Sequence, residues 1–428
     1  MARIVANLTA VVLLGALVFL ASRDLLLGGL AIGISCFLVA LVTLGGERMG
    51  FLLILLAMFT APQNDVRPIA TLDFLTFSDL FFAAGFALLL PSLTRRRMQV
   101  PITFLVGAMV IIYGVFIASL LSSEPLIGMF YGFRLVSAAV ILPLAFLWWR
   151  PSLRSIDALA WGYVLGQCAS TVYALFFGGF VGTRYVGLTT HPNFFGICGL
   201  MALGLLVHLW HRTPSKQRWL VLAAAGVSTY SVVLSGSRAA LIVIVVLALL
   251  YPAIERSLAS AYLLVAAALA AVIAGDWLVR STGEHSALGR LTGGGTVSGS
   301  DIQRENALRL GLEKFFDNPI FGKGFSFDAL DPHNIYLEVA VGIGIFGLVG
   351  FLAIGVACIA PIFAGGRLRH LGYATLAYAG VGMLTNSLWD RFVWAVLSLA
   401  LLANLKYDDD SPEEAGEAFV EMEQVRTA

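Results

Sequence analysis

Apolar runs long enough to cross a lipid bilayer recur along almost the whole chain, and this constrains the fold more than any other feature. A run of about 20 apolar residues matches the roughly 30 Å of hydrocarbon that a helix has to cross. Of the 428 residues, 59% are hydrophobic and 12% are charged. A soluble domain carries about 25% charged residues, so the sequence predicts a polytopic membrane protein.

The runs predict an all-α bundle of 12–14 transmembrane helices. They lie near residues 4–21, 25–45, 51–61, 78–93, 102–121, 131–149, 156–177, 194–211, 218–234, 239–254, 258–277, 334–361, 371–388 and 392–405. The third run is too short to cross alone. The first resembles a secretory signal but lacks a small-x-small cleavage site, so it is expected to be a retained span.

Basic residues in short loops predict the orientation of the bundle. Loops at 95–97, 150–154, 212–218 and 367–369 fall on one side, which we expect to be the cytoplasm, with both termini there. Residues 278–333 form the longest loop on the opposite, extracytoplasmic side. Residues 1–405 are thus predicted to form one transmembrane domain, followed by an acidic cytoplasmic tail, residues 406–428, without fixed structure.

The long loop is predicted to contain a short amphipathic helix. Ser300 and Gln303 have the spacing of a capping box, which begins a helix. Leu308 and Leu312 continue as an apolar stripe, so the helix is expected to lie on the membrane surface. Arg304 begins the stripe and could reach a lipid phosphate.

Composition and motifs exclude several classes of chemistry. The formal net charge is +1, which gives no basis for binding nucleic acid, and all four cysteines lie inside apolar runs. The sequence has no nucleotide-binding loop, catalytic-triad pattern or metal-spaced histidine cluster. We therefore expect no cofactor, no metal and no disulfide.

Residues 319–351 run from a glycine-rich loop directly into a long apolar helix. Asp331-Pro332 is a stop signal, because proline restrains the preceding residue to extended conformations. His333 and Asn334 then stand at the helix start, where free backbone N–H groups and the helix dipole would attract an anion. The alternative is an ordinary helix capped by the histidine.

Two arginines are expected to join His333 on the extracytoplasmic side. Arg184 lies in an outer loop, and Arg238 begins an apolar run. Either arginine alone could simply extend its side chain to the membrane surface. Together, two guanidinium groups suit a diphosphate, and a histidine can take a proton from a hydroxyl group.

Three ordered motifs resemble those of a known family. They are RYVGLTTHPNFFG (184–196), SGSRAAL (235–241) and PIFGKGFSFD…HNIYLEVAVGIGIFG (319–347). These three motifs lie within residues 180–355. They resemble the motifs of the O-antigen ligase and Wzy-type polymerase superfamily of integral membrane proteins. That family transfers a glycan from undecaprenyl diphosphate to an acceptor glycan or glycolipid at the extracytoplasmic face.

The resemblance implies roles for single residues. Arg184 and Arg238 would hold the diphosphate, and His333 would act on the acceptor hydroxyl. Arg304, Asn334 and Glu338 are expected to contact substrate. Many family members carry a glutamate about nine residues after the histidine, where this chain has Gly342; Glu338 lies one turn earlier and could replace it.

Two other functions remain open at this stage. A transporter or flippase for a lipid-linked precursor would also use many helices and charged groups, although no internal repeat is apparent. A scaffold for polysaccharide assembly would leave the arginines and the histidine unexplained. Ligase and polymerase activities are not separable from the sequence.

Further polar residues lie near the membrane. Asp79 and Arg134 either line a cavity or pair with neighbouring helices, and the sequence favours the pairing. Asp390-Arg391 is expected to form an outer turn. His191 is expected to shape the Arg184 loop, and Asn193 either to share that task or to cap the helix that follows.

Overall fold

The computed structural model describes residues 25–69, 74–291, 297–325 and 332–407, and within these ranges it is a helical bundle. A short hairpin, β1 (Phe180–Val181) with β2 (Arg184–Tyr185), is its only sheet. The helices are α1 Leu25–Thr60, α2 Phe77–Leu93, α3 Ile102–Leu121, α4 Pro125–Val136, α5 Leu142–Trp149, α6 Leu153–Phe177, α7 Pro192–Arg212, α8 Arg218–Leu234, α9 Arg238–Glu255, α10 Leu258–Thr282, α11 Ala287–Leu291, α12 Val297–Asp317, α13 Ile335–Ile359, α14 Pro361–Ala364, α15 Gly372–Val381 and α16 Arg391–Leu401.

Short irregular helices complete the bundle. A π-helical turn, Ser137–Ile141, joins α4 to α5, and 3₁₀ turns lie at Ser215–Gln217, Arg369–Leu371 and Leu402–Asn404. The predicted all-α class is confirmed.

Six segments among the described residues are long and apolar enough to cross a membrane, and three shorter apolar helices accompany them. The predicted spans 25–45 and 51–61 are one helix, α1, interrupted at Gly45 (φ 79°). The span at 4–21 and nearly all of the acidic tail lie outside the described residues. The chain is a multi-pass membrane protein.

Glycines bring helices α3 and α13 into backbone contact. A Cβ atom on Gly107 would lie 2.6 Å from the carbonyl oxygen of Gly350, and one on Gly350 would lie 2.9 Å from that of Gly107. Membrane helices associate through such small-residue contacts, because lipid offers no hydrophobic driving force between them.

Helix α13 is broken, which the sequence did not predict. Ile343 and Gly344 leave the helical conformation, and Gly344 has φ 70°. The loop 319–324 fills the break: Lys323 N–H donates to Val341 O (2.8 Å), Gly324 N–H to Gly342 O (2.9 Å), and Ile345 N–H to Pro319 O (2.8 Å). The loop 319–324 therefore forms hydrogen bonds with the backbone groups that the break in α13 leaves without helical partners.

Helix α12 begins earlier than predicted. It starts at Val297, so Ser300 lies inside the helix and does not begin it. Leu308 and Leu312 are exposed, as expected for a helix lying on a membrane surface. Arg309 pairs with Glu313 one turn later (3.3 Å) on the charged face.

The basic loops predicted to share a face do meet at one end of the bundle. Arg96 donates to Trp149 O (3.2 Å), and Arg150 reaches Lys406 O. Arg212 pairs with Asp157 (3.0 Å) at the end of α7. Arg238 begins α9 and His333 precedes α13, at the opposite ends of those helices, and Arg184 lies in the hairpin between α6 and α7.

Candidate functional site

Arg184 is held by a turn and a helix start. It begins β2, and its Nε–H donates to Ser235 O (2.8 Å) while Nη2 donates to Asn193 Oδ1 (2.7 Å). Asn193 lies in the first turn of α7, and Ser235 lies at the end of α8. Two of the three sequence motifs therefore meet at this guanidinium group.

The turn between α8 and α9 places Arg238 beside Arg184. Gly236 has φ 64°, and a Cβ atom there would lie 2.9 Å from Arg184 Nε. Only glycine combines that backbone conformation with so close an approach. Ser237 then caps α9, whose first residue is Arg238.

Helices α11 and α12 add two further arginines. Arg290, which is buried, donates to Gly236 O (2.7 Å). Arg238 pairs with Asp301 of α12 (Nη1 to Oδ2, 3.2 Å). Arg304 lies one turn after Asp301 and interacts electrostatically with Arg238. We call Arg184, Arg238, Arg290 and Arg304 the arginine cluster.

The arginine cluster carries excess positive charge. Burial, followed by the charges of Arg290, Arg304 and Arg238, lowers the pKa of Arg184 to about 9. Burial and the neighbouring arginines also lower the pKa of Arg290. Guanidinium groups nevertheless remain protonated in proteins. Asp301 is the one acidic side chain among the described neighbours that act on these groups. The cluster therefore favours a polyvalent anion.

His191 faces the arginine cluster as a neutral imidazole. Burial, followed by electrostatic interactions with Arg184, His333 and Arg304, lowers the pKa of His191 to about 4. Asn193 N–H donates to His191 Nδ1 (3.1 Å). The proton of the neutral ring therefore lies on Nε2, which makes Nε2 a hydrogen-bond donor.

This arrangement distinguishes the two expectations for Asn193 and supports the one in which it shapes the Arg184 loop. His191, and not Asn193, caps helix α7, because its side chain accepts the Asn193 N–H. Asn193 instead orients Arg184.

The start of α13 differs from the predicted anion site. Asn334 is the cap, and its Oδ1 accepts from Tyr336 N–H (3.0 Å) and Leu337 N–H (3.1 Å). Ile335 N–H donates to Gly382 O (2.9 Å). The first backbone donors are thus engaged within the protein, and the prediction that they bind an anion is wrong.

His333 precedes this cap in a strained conformation. Its φ is 49°, in the left-handed region that non-glycine residues enter at a cost of about 1–3 kcal/mol. It is half-buried and close enough to influence His191. Because Asn334 forms the cap, the alternative in which His333 is merely a helix cap is wrong.

Glu338 and Gly342 face a cavity of about 710 Å³ beside this helix start. A Cβ atom on Gly342 would overlap the ring of Phe325. The aromatic ring therefore occupies the space that an acidic side chain would need there. Asp79 and Arg134, for which lining the cavity was one of two expectations, do line it, together with Asp390 and Arg391 of the outer turn.

One group of side chains in the described residues has the spacing of metal ligands. It consists of His211, Glu255 and His370. The two imidazole rings stack at 3.8 Å, and Glu255 pairs with Arg369. The group lies at the far end of α7, about 30 Å from His191 by helix rise, so it is no part of the arginine cluster. The three residues are widely spaced in sequence, which explains why no motif signalled them.

Sequence reasoning located most members of this region. Arg184, Arg238 and Arg304 come together, with His333 nearby. His191 was placed in the Arg184 loop, and Arg290 was missed. Arg290 lies in a short sequence without a motif, and its role depends on the Gly236 carbonyl that it contacts.

The fold and this site define a multi-pass membrane protein with the arginine cluster at one end of its helices. Residues 223–352 match the family model described as O-antigen ligase. The resemblance that the motifs predicted is thereby confirmed for these residues, which include the second and third motifs but not the first, residues 184–196. The matched residues include Arg238, Arg290, Arg304 and His333. A comparison with curated proteins gives no match.

Proposed function

We propose that the protein transfers a glycan from undecaprenyl diphosphate to an acceptor hydroxyl at the extracytoplasmic face. The observation that carries this proposal is the arginine cluster, in which four guanidinium groups face one carboxylate among the described neighbours. Guanidinium groups pair bidentately with phosphate oxygens. A diphosphate would supply the negative charge that the cluster needs.

In this reaction the acceptor oxygen attacks the anomeric carbon of the donor sugar. The bond from that carbon to the diphosphate oxygen breaks, and the electron pair leaves with the diphosphate. Arg184, Arg238, Arg290 and Arg304 stabilise the charge that develops there. His333 takes the proton from the acceptor hydroxyl.

The neutral His191 has a different role. Its Nε2–H donates toward the diphosphate, because Nδ1 is already an acceptor for Asn193 N–H. It is therefore unsuited to act as the base, and His333 retains that role.

Transport of a lipid-linked precursor is the other candidate. The charges collect at one end of the helices, whereas transporter sites commonly lie near mid-membrane between related halves. This distribution favours transfer over transport.

Purified protein in nanodiscs tests the proposal. A labelled glycan on undecaprenyl diphosphate is the donor, offered with lipid A core glycolipid in one reaction and with a second lipid-linked repeat unit in another. Product with the first acceptor identifies a ligase, and product with the second a polymerase. Activity is expected to survive EDTA, because the arginines neutralise the leaving group.

Three results would contradict the proposal in different ways. Release of free undecaprenyl diphosphate without glycosylation of either acceptor would indicate hydrolysis of the donor. Movement of the donor across a proteoliposome membrane without any product would indicate transport. Loss of transfer on chelation, restored by one divalent metal, would refute metal independence alone.

A further inference from the structure

The cavity of about 710 Å³ is lined by side chains that differ from those of the arginine cluster. It lies between α2, α4, the starts of α7 and α13, and the turn before α16. Its volume falls within the range of about 300–1,000 Å³ that small-molecule sites occupy. None of the four cluster arginines is among its described lining residues.

The charges around this cavity balance. Its described lining includes three arginines, Arg67, Arg134 and Arg391, and three acidic residues, Asp79, Glu338 and Asp390. Asn64, Asn386 and Thr190 add neutral polar groups. A diphosphate would gain little here, whereas a neutral ligand with many hydroxyl groups would meet both donors and acceptors.

Two of the arginines are held in place. Arg391 pairs with Asp79, and its Nη2 donates to Ser137 Oγ (3.0 Å). Ser137 begins the π-helical turn after α4, and such turns occur frequently at functional sites. The guanidinium group of Arg134 lies 5.6 Å from the centre of the Trp389 ring. The polar groups are therefore fixed before a ligand arrives.

Aromatic rings form another part of the wall. Trp389 packs against Tyr131 (5.8 Å between ring centres) and edge-on against Phe325 (5.6 Å). Aromatic rings pack against the apolar C–H faces of a sugar, while carboxylates and amides accept hydrogen bonds from the hydroxyl groups at its edge. Sugars present both kinds of surface, and acyl chains present only the first.

The cavity adjoins the arginine cluster through two helix starts. Thr190 and Phe194 line it, and His191 between them faces the cluster. Asn64 Oδ1 accepts from Thr190 N–H (3.1 Å), which fixes this partition. Glu338, which lines the cavity, lies about 6 Å along α13 from Asn334. Asn334 directly follows His333 in the chain.

From this placement we infer that the cavity binds the sugar of the acceptor, with its reactive hydroxyl directed toward His333. The inference rests on the proposed function and adds a separate subsite to it. The diphosphate binds at the arginine cluster, and Glu338, Asp79 and Trp389 contact the acceptor sugar. Donor and acceptor then occupy opposite sides of the His191 partition.

Cysteine modification tests the inference with a matched pair of variants. Ala83 of α2 lines the cavity, whereas Ala84, which is also exposed and adjacent in sequence, is not among its described lining residues. Each is changed to cysteine in a protein with Cys36→Ser and Cys168→Ser. The variants are treated with methyl or benzyl methanethiosulfonate. Acceptor KM is measured with the acceptor that yields product, and affinity is measured for undecaprenyl diphosphate.

The benzyl adduct on Ala83→Cys is expected to raise acceptor KM at least about tenfold, and the methyl adduct to raise it less. Affinity for undecaprenyl diphosphate should stay within about twofold, and Ala84→Cys should respond to neither reagent. Unchanged acceptor KM at Ala83→Cys overturns the inference, and so does an equal loss of diphosphate affinity. If unmodified protein transfers to neither acceptor, the proposed function itself fails.

Discussion

At the scale of single residues, charge and proton position divide the site into two parts. Arg184 and Arg290 are fixed by backbone carbonyls at Ser235 and Gly236, so the cluster is ordered before an anion binds. His333 lies outside the helix cap and His191 has its Nδ1 engaged. We therefore expect arginine substitutions to affect donor binding and His333 substitutions to affect the transfer step.

Arg238→Ala should weaken binding of undecaprenyl diphosphate about 10- to 100-fold and slow transfer as well, because a charge-assisted hydrogen bond contributes about 1.5–3 kcal/mol. Arg238→Lys should restore this only in part, since an ammonium group lacks the bidentate geometry. Arg280→Ala, at an exposed arginine at the end of α10, is the control and should change neither property. Affinity and single-turnover transfer are measured in nanodiscs.

His333→Ala should leave undecaprenyl diphosphate affinity nearly unchanged and slow transfer about 100- to 10,000-fold, the usual contribution of general acid–base catalysis. Its thermal stability should not fall, because Asn334 retains the helix cap. Wild-type transfer rates in the variant would remove His333 from the mechanism. A loss of donor affinity equal to that of Arg238→Ala would instead assign it to the diphosphate site, with Glu338 then the first candidate base.

His191 predicts a pH dependence of stability. Its pKa in the folded protein is about 4, below the value near 6.5 of an unfolded chain. As the pH falls from 6.5 toward 4, the unfolded chain takes up a proton that the folded state does not, so His191 then destabilises the fold. His191→Asn keeps an acceptor for Asn193 N–H, and its melting temperature should fall less over this pH range. Equal slopes for both proteins would contradict this account.

At the scale of elements, the broken helix α13 connects the two parts of the site. The loop 319–324 satisfies the carbonyls of Val341 and Gly342, and Phe325 then covers Gly342 at the cavity. The same helix begins beside His333 and carries Glu338. The geometry of the break therefore sets where the cavity meets His333.

Gly344→Ala should destabilise the protein and reduce transfer, because Gly344 has φ 70° and an added Cβ atom would overlap Ile320 O. Gly355→Ala, further along the same helix, is the matched control, since a Cβ atom there meets nothing within 4 Å. The control should be neutral or more stable by about 0.5–1 kcal/mol, the helix preference of alanine over glycine. Thermal unfolding in detergent distinguishes the two, and equal melting temperatures would refute the role of the break.

At the scale of the whole molecule, apolar runs long enough to cross a membrane predicted the helices, and the ordered motifs predicted that Arg184 and Arg238 lie on the same side as His333. Both predictions depend on local sequence, because apolar runs and turn glycines are visible in short stretches of the chain. The break in α13, Arg290 and the Asp79–Arg391 pair were not predicted. Each depends on a partner distant in the chain. Pro319 accepts from Ile345 at the break, Gly236 accepts from Arg290, and Asp79 pairs with Arg391. Such contacts are fixed by tertiary packing and leave no local pattern.

The proposed function requires the arginine cluster and the basic loops to lie on opposite sides of the membrane. Contacts such as Arg212 with Asp157 gather the basic loops at one end of the bundle, and basic loops remain in the cytoplasm. Leu291 adjoins Arg290, and Lys216 lies in a basic loop; both are exposed. Leu291→Cys should therefore react with an impermeant maleimide from outside intact cells, and Lys216→Cys only after permeabilisation. Both are made with Cys36→Ser and Cys168→Ser, because Cys198 and Cys358 are buried. Reaction of both sites from the same side would contradict the predicted orientation, and an extracytoplasmic transfer reaction would then lose its basis.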